Sequence, residues 1–140
     1  MISEFNNVTH ESGLEFFLSM ESPPTVTHQM KKVNFKAHSF YEPKEVKEAR
    51  RNFNEMLSLH RPSSPIMGPV RLITKWCYPP GEKEDPSYKT TKPDTDNMIK
   101  LLKDCMTKVG FWKDDSQVAS EITEKFWARP TGIYVKVEEL

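Results

Sequence analysis

Lys92-Pro93-Asp94-Thr95-Asp96-Asn97-Met98-Ile99-Lys100 is the stretch on which the rest of the chain turns. The Asp and Asn residues at its centre are of the kind that open helices. Met98, Ile99, Leu101, Leu102, Cys105, Met106 and Val109 then recur at helical spacing. They predict a helix over residues 95–109, ended by Gly110. Its apolar side chains cover most of the circumference, leaving one polar strip of Asp96, Lys100, Lys103, Asp104 and Thr107. Such a helix is buried along all but that strip.

Outward from the helix the pattern changes to strands. Residues 69–78 are β-branched and aromatic, and predict a strand before it. After it, Phe111-Trp112 packs, Lys113-Asp114-Asp115-Ser116 turns, and two strands are expected at 117–128 and 131–140. Arg129-Pro130-Thr131-Gly132 is the turn between them, with Val118, Ile122, Phe126, Ile133, Val135 and Val137 facing inward. Upstream, residues 14–20 read as a first strand, stopped by Pro23-Pro24. Pro43 suits the first turn of a helix over residues 44–60, whose buried stripe is Val46, Ala49, Phe53, Met56, Leu57 and Leu59. Residues 1–13, 25–40 and 79–92 read as irregular or loop, the last of them long and exposed. The order is strand, helix, strand, helix, strand, strand. It predicts an α/β (α+β) fold with two main helices and a small mixed sheet of about four strands, residues 1–140 forming one domain.

Composition excludes several classes. No apolar run approaches the ~20 residues that span a bilayer. The N-terminus carries acids where a secretory signal has lysines, so a cytoplasmic protein is expected. Cys77 and Cys105 are far apart, with no CxxC or histidine cluster, and read as reduced thiols rather than zinc ligands. The net charge is zero, but its distribution is uneven. Residues 1–27 hold four acids and no Lys or Arg, residues 28–61 are +4, residues 62–92 are +2, and residues 93–140 are −2. A basic middle beside an acidic segment suits a metal-dependent enzyme acting on a polyanion; ordinary solvated charge also produces such runs. Lys31, Lys32 and Lys36, with His28 and His38, lie in a loop that either orders on a phosphate backbone or is simply solvated.

In an extended chain residues i and i+2 point the same way, so Asp94 and Asp96 can converge on one point. Lys100 stands one helical turn beyond Asp96. If folding returns Asp115, and with it Asp114, to the same place, three or four carboxylate oxygens would suit Mg²⁺ or Mn²⁺. Crowded carboxylates raise one another's pKa, and a cation relieves that cost. The other reading makes these acids helix caps and turn residues, with Lys100 paired to Asp96. A metal site of this kind performs phosphodiester hydrolysis, with Lys100 neutralising phosphate charge or assisting deprotonation of the attacking water. Asn97 and Asp104 are supporting residues rather than direct ligands.

The run Lys92 to Lys100, then Asp104, then Gly110-Phe111-Trp112-Lys113-Asp114-Asp115-Ser116-Gln117-Val118, and finally Lys125, resembles the RusA family of Holliday junction resolvases. The resemblance covers residues 92–125 in both identity and spacing, and Pro23-Pro24-Thr25-Val26 and Tyr41-Glu42-Pro43-Lys44 agree more loosely. It implies a Mg²⁺-dependent endonuclease that nicks four-way DNA junctions as a homodimer, often in a phage or prophage setting. It carries the catalytic acids to Asp94, Asp96 and Asp115, the catalytic lysine to Lys100, and a supporting acid to Asp114. Lys31, Lys32, Lys36, Lys92 and Lys113 are the candidate DNA contacts. Two symmetric cuts in a two-fold junction also call for two symmetric active sites. Two other readings remain: a less selective metal nuclease for flaps or single strands, and a branched-DNA-binding protein without catalysis.

Overall fold

The computed structural model describes residues 8–10, 13–25, 32–34 and 39–140, with side chains described for 14–25 and 42–140. In chain order the elements are β1 (Val8–His10), β2 (Gly13–Ser19), β3 (Lys32–Asn34), β4 (Ser39–Tyr41), α1 (Lys44–Ser58), β5 (Val70–Tyr78), β6 (Ser87–Tyr88), α2 (Thr95–Val109), β7 (Val118–Trp127) and β8 (Gly132–Glu139). A short 3-10 turn, Asp115–Gln117, precedes β7.

The sheet is built around β5. Its Val70, Leu72, Thr74, Trp76 and Tyr78 are buried, while Arg71, Ile73, Lys75 and Cys77 face the other way. That strict period of two is what a strand packed on one face requires. β8 pairs with it antiparallel on one side and β7 parallel on the other. β2 extends the sheet beyond β8, and the full order is β1-β2-β8-β5-β7-β6. A parallel neighbour needs a crossover, and α2 supplies it between β5 and β7.

Both helices share one core with the sheet. α1 contributes Ala49, Phe53 and Leu57, and α2 contributes Met98, Ile99, Leu101, Leu102, Cys105 and Met106. These meet Leu14, Phe16 and Leu18 of β2, Ile133, Val135 and Val137 of β8, and the buried row of β5. Phe53 packs edge-on against Trp76 at 6.2 Å. Burial of each large apolar side chain here is worth about 1.5–3 kcal/mol.

The predicted α+β order and both helices are present, α2 with the expected bounds. The sheet is larger than the four strands expected, because β1 and β6 add to its edges, and β3 and β4 pair separately. These short strands have two or three residues each, too few to show a period in sequence. Leu59 is 77% exposed because α1 ends at Ser58, before Leu59 can rejoin the apolar stripe. Ile122 is 45% exposed and Phe126 stacks on exposed Tyr88, so neither joins the core. The opposite row of β7, Glu121, Thr123, Lys125 and Trp127, faces α2 instead.

Candidate active site

Asp94 occupies the N-cap position of α2 with extended backbone (φ −72°, ψ 147°), and its carboxylate makes no capping hydrogen bond. Only its carbonyl is used, accepting from the Met98 N–H at 3.1 Å. Asp94, Thr95 and Asp96 are exposed. The loop that presents them is fastened from β7: Lys125 Nζ donates to the carbonyls of Thr91 (2.7 Å) and Pro93 (2.8 Å). Both carboxylates therefore stand at the positive end of the α2 dipole, where negative charge is favoured. Asp96 borders an open cleft of ≈ 250 Å³ whose other walls are Thr95, Ile99, Glu121 and Thr123.

The acids beyond the C-terminus of α2 are held differently. Gly110 closes the helix in the left-handed conformation (φ 100°), and Phe111 and Trp112 bury themselves beneath it. Asp114 then caps the 3-10 turn, accepting from the Ser116 N–H at 2.9 Å. That backbone hydrogen bond, with the Ser116 hydroxyl second, holds the Asp114 carboxyl below the usual aspartate range. Gln117 is the clasp. Its Oε1 accepts from the N–H groups of Lys113 (2.9 Å) and Asp114 (3.1 Å). Its Nε2 donates to the carbonyls of Ile66 (2.8 Å) and Gly68 (3.0 Å). Half-exposed Asp115 borders a second cleft with Asp104, Thr107, Lys108, Lys113 and Asp114.

The two acidic pairs thus lie at opposite ends of one rigid helix. Fifteen residues of α2 correspond to about 22 Å at 1.5 Å per residue. Among the described residues no group of three or more His, Cys, Asp or Glu side chains is gathered closely enough to hold a metal ion. One chain therefore sets Asp94 and Asp96 at the N-terminal end of α2 and leaves Asp114 and Asp115 beyond its other end. Two exposed carboxylates still fit Mg²⁺, which is commonly held by one or two carboxylates plus substrate phosphate and water.

Lys100 is exposed, and its Nζ stands 3.9 Å from Asp104 Oδ1, a turn further along rather than back toward Asp96. Asn97 is half-buried. Lys92 and Lys113 are exposed, one beside each acidic pair. Lys31 and Lys36 lie outside the described residues; Lys32 is placed only as backbone in β3, opposite Tyr41.

The family described as "Endodeoxyribonuclease RusA" matches residues 21–138, most of the chain and the whole of both acidic pairs. The chain belongs to that family. Two curated relatives are similar in sequence. "Uncharacterized protein YqaN" of Bacillus subtilis (strain 168) is 34% identical over 95 residues, 59% of this chain and 66% of that protein. "Crossover junction endodeoxyribonuclease rusA" of Lactococcus phage r1t is 32% identical over 73 residues, 51% of this chain and 56% of that protein. The chain therefore spans just under two thirds of the first relative and a little over half of the second.

Sequence reasoning did not single out Glu121 and Thr123 as walls of the Asp96 cleft, nor Gln117 as a clasp. Glu121 also pairs with Lys103 of α2 at 3.0 Å. The signal for the cleft was the polar row Glu121-Thr123-Lys125 alternating with Ile122 and Phe126, read with the polar side inward. No helix among the described residues is long and apolar enough to cross a membrane.

Proposed function

We propose that this RusA-family chain is a divalent-metal-dependent, structure-selective endodeoxyribonuclease. In this reading it acts as a homodimer in DNA recombination and repair, resolving four-way junctions by paired symmetric nicks. The observation that carries it is the state of Asp94 and Asp96: exposed, engaged in no capping bond, and fixed at a helix N-terminus by Lys125. Asp94 and Asp96 would hold Mg²⁺ or Mn²⁺. When bound there, the cation supplies a water of lowered pKa and neutralises charge on the phosphate being cut. The first-turn N–H groups of α2 favour an anionic phosphate at the same end. Lys100 offsets negative charge developing on that phosphate or takes part in deprotonating the water. Lys92, Lys113 and the basic residues Lys31, Lys32 and Lys36 would contact the DNA backbone.

The placement of Asp115 supports the dimer. Because α2 separates it from Asp94 and Asp96 within one chain, a second copy related by a two-fold axis is the simplest source of the third acid. Each site of the dimer would then draw Asp94 and Asp96 from one copy and Asp115, supported by Asp114, from the other. The relative named as a crossover junction endodeoxyribonuclease comes from a phage, which favours a phage or prophage setting, and a DNA substrate favours the cytoplasm.

Incubating the protein with labelled four-way, three-way and linear DNA, with Mg²⁺ and with EDTA, tests the reading. Symmetric nicks in the four-way junction alone, lost in EDTA, are expected. Equal cutting of flaps or single strands would favour a less selective nuclease. Binding of the junction without any metal-stimulated cutting would leave only a branched-DNA-binding protein.

A further inference from the structure

Lys89 is an unusual lysine. It is 7% exposed, and its ammonium is packed against aromatic rings rather than a carboxylate. Nζ lies 4.3 Å from the centroid of Trp127 and 5.1 Å from that of Tyr78, and donates to Thr91 Oγ1 at 2.5 Å. Lys83 approaches the same Trp127 ring at 4.5 Å. Burial, and then the charges of Lys125 and Lys83, lower the Lys89 pKa from the ordinary lysine value. Three ammonium groups thus share one place. Among the described residues no carboxylate lies within ion-pair distance of any of them. On that loop Glu82 and Glu84 flank Lys83 in sequence without pairing to it, and Asp85 accepts from the Arg129 backbone N–H at 3.2 Å.

Ring faces attract cations, but each such interaction is worth only about 0.5–2 kcal/mol and does not cancel repulsion among three charges. Exposed Lys83 carries the cluster to the surface. The cluster also adjoins the cleft of Asp96. Thr123, a wall of that cleft, and Lys125 lie two residues apart on the same face of β7, about 6.6 Å. An anion beside these lysines would therefore sit next to whatever Asp94 and Asp96 hold.

We propose that Lys83 and Lys89, held over the rings of Tyr78 and Trp127, together with neighbouring Lys125, form a phosphate-binding site for a DNA backbone phosphodiester neighbouring the one cut at Asp94 and Asp96. The proposal rests on the nuclease reading above. Lys83 and Lys89 contact the phosphate, while Lys125 stays on its two carbonyls and adds charge. The rings keep the ammoniums in place without neutralising them, so the positive potential is retained for the strand.

The test is the salt dependence of binding of a labelled four-way junction in EDTA, with parent, Lys83→Gln, Lys89→Met and Lys89→Arg chains. Removing one lysine that neutralises a phosphate flattens the slope of log K against log salt by about 0.9. Lys83→Gln and Lys89→Met are expected to show that flattening and weaker binding at low salt, and Lys89→Arg to keep the parent slope. If Lys89→Met does not fold, exposed Lys83→Gln decides alone. Unchanged slopes in folded variants, with the parent still binding and cutting junctions, would overturn this site and leave the nuclease reading intact. A parent chain that neither binds nor cuts branched DNA would overturn both.

Discussion

The two ends of α2 carry the same kind of residue in opposite conditions. At the N-terminus, Asp94 and Asp96 point into solvent and the work of holding the loop falls to Lys125. At the C-terminus, Asp114 itself holds the turn as a cap, with Gln117 clasping it to Ile66 and Gly68. An aspartate before a helix is ordinarily a cap. Where another residue fastens the loop and the carboxylate makes no capping bond, it is left open to a ligand. The contrast separates Asp94 and Asp96, whose carboxylates make no capping bond, from Asp114, which caps a turn, and under the proposed function it leaves Asp115 as the C-terminal acid for the metal site.

The largest expected effect tests the free pair. Asp96→Asn keeps shape and removes charge, so metal-dependent junction cutting should fall by at least the upper end of the about 10–100-fold that outer-shell partners of metal ligands cost. Junction binding in EDTA should persist. A variant that cuts like the parent would remove Asp96 from the site. Mixing Asp96→Asn with Asp115→Asn chains sharpens the comparison between helix ends. If each site takes its acids from two copies, a mixed dimer contains one intact site, and single nicks should reappear that neither variant makes alone. No recovery after subunit exchange would place the acids of each site in one copy.

Lys125→Met comes next. It removes two charge-assisted hydrogen bonds, each about 1.5–3 kcal/mol, from the loop that presents Asp94. The single-turnover cutting rate at saturating protein should fall about 10–100-fold while the acids themselves are untouched. An unchanged rate would mean that the loop is positioned without it.

How much of this was legible in the sequence follows the same division. α2 was readable to its ends because Asp94 and Gly110 punctuate a long apolar period, and α1 nearly so. β7 was readable as a strand but not in its facing. Ile122 and Phe126 suggested the core side, whereas the structure turns Glu121, Thr123 and Lys125 toward α2. Alternation reports which row is apolar, and a strand that floors a polar cleft reverses the usual meaning of that row. The acidic pairs were visible as residues, but their separation was not. It depends on whether the turn after α2 folds back toward the start of the helix, a tertiary fact. The role of Gln117 was equally hidden, since its partners at Ile66 and Gly68 are about fifty residues away in sequence.

Gln117→Ala probes the C-terminal clasp. Four hydrogen bonds at a half-exposed position suggest a cost of about 2 kcal/mol, or roughly 6 °C in Tm. The loss in cutting should be smaller than for Lys125→Met. The reverse ranking would mean that the C-terminal turn is the more directly catalytic of the two.

The smallest effect concerns Asp114, and pH gives it a sign. Its folded pKa is lowered, so the stability it contributes is fully present above the unfolded aspartate value of about 3.9 and is lost as pH falls through the lower folded value. Asn also caps well but cannot titrate. Asp114→Asn should therefore melt slightly below the parent at neutral pH, and the gap should close as the pH drops below about 4. The remaining carboxylates titrate in both proteins and cancel in the difference. A gap that stays constant down to pH 2 would show that the charge of Asp114 is not what holds the turn. Asp114 would then resemble Asp94 more closely than its hydrogen bonds imply, as a carboxylate whose charge is open to something outside the chain.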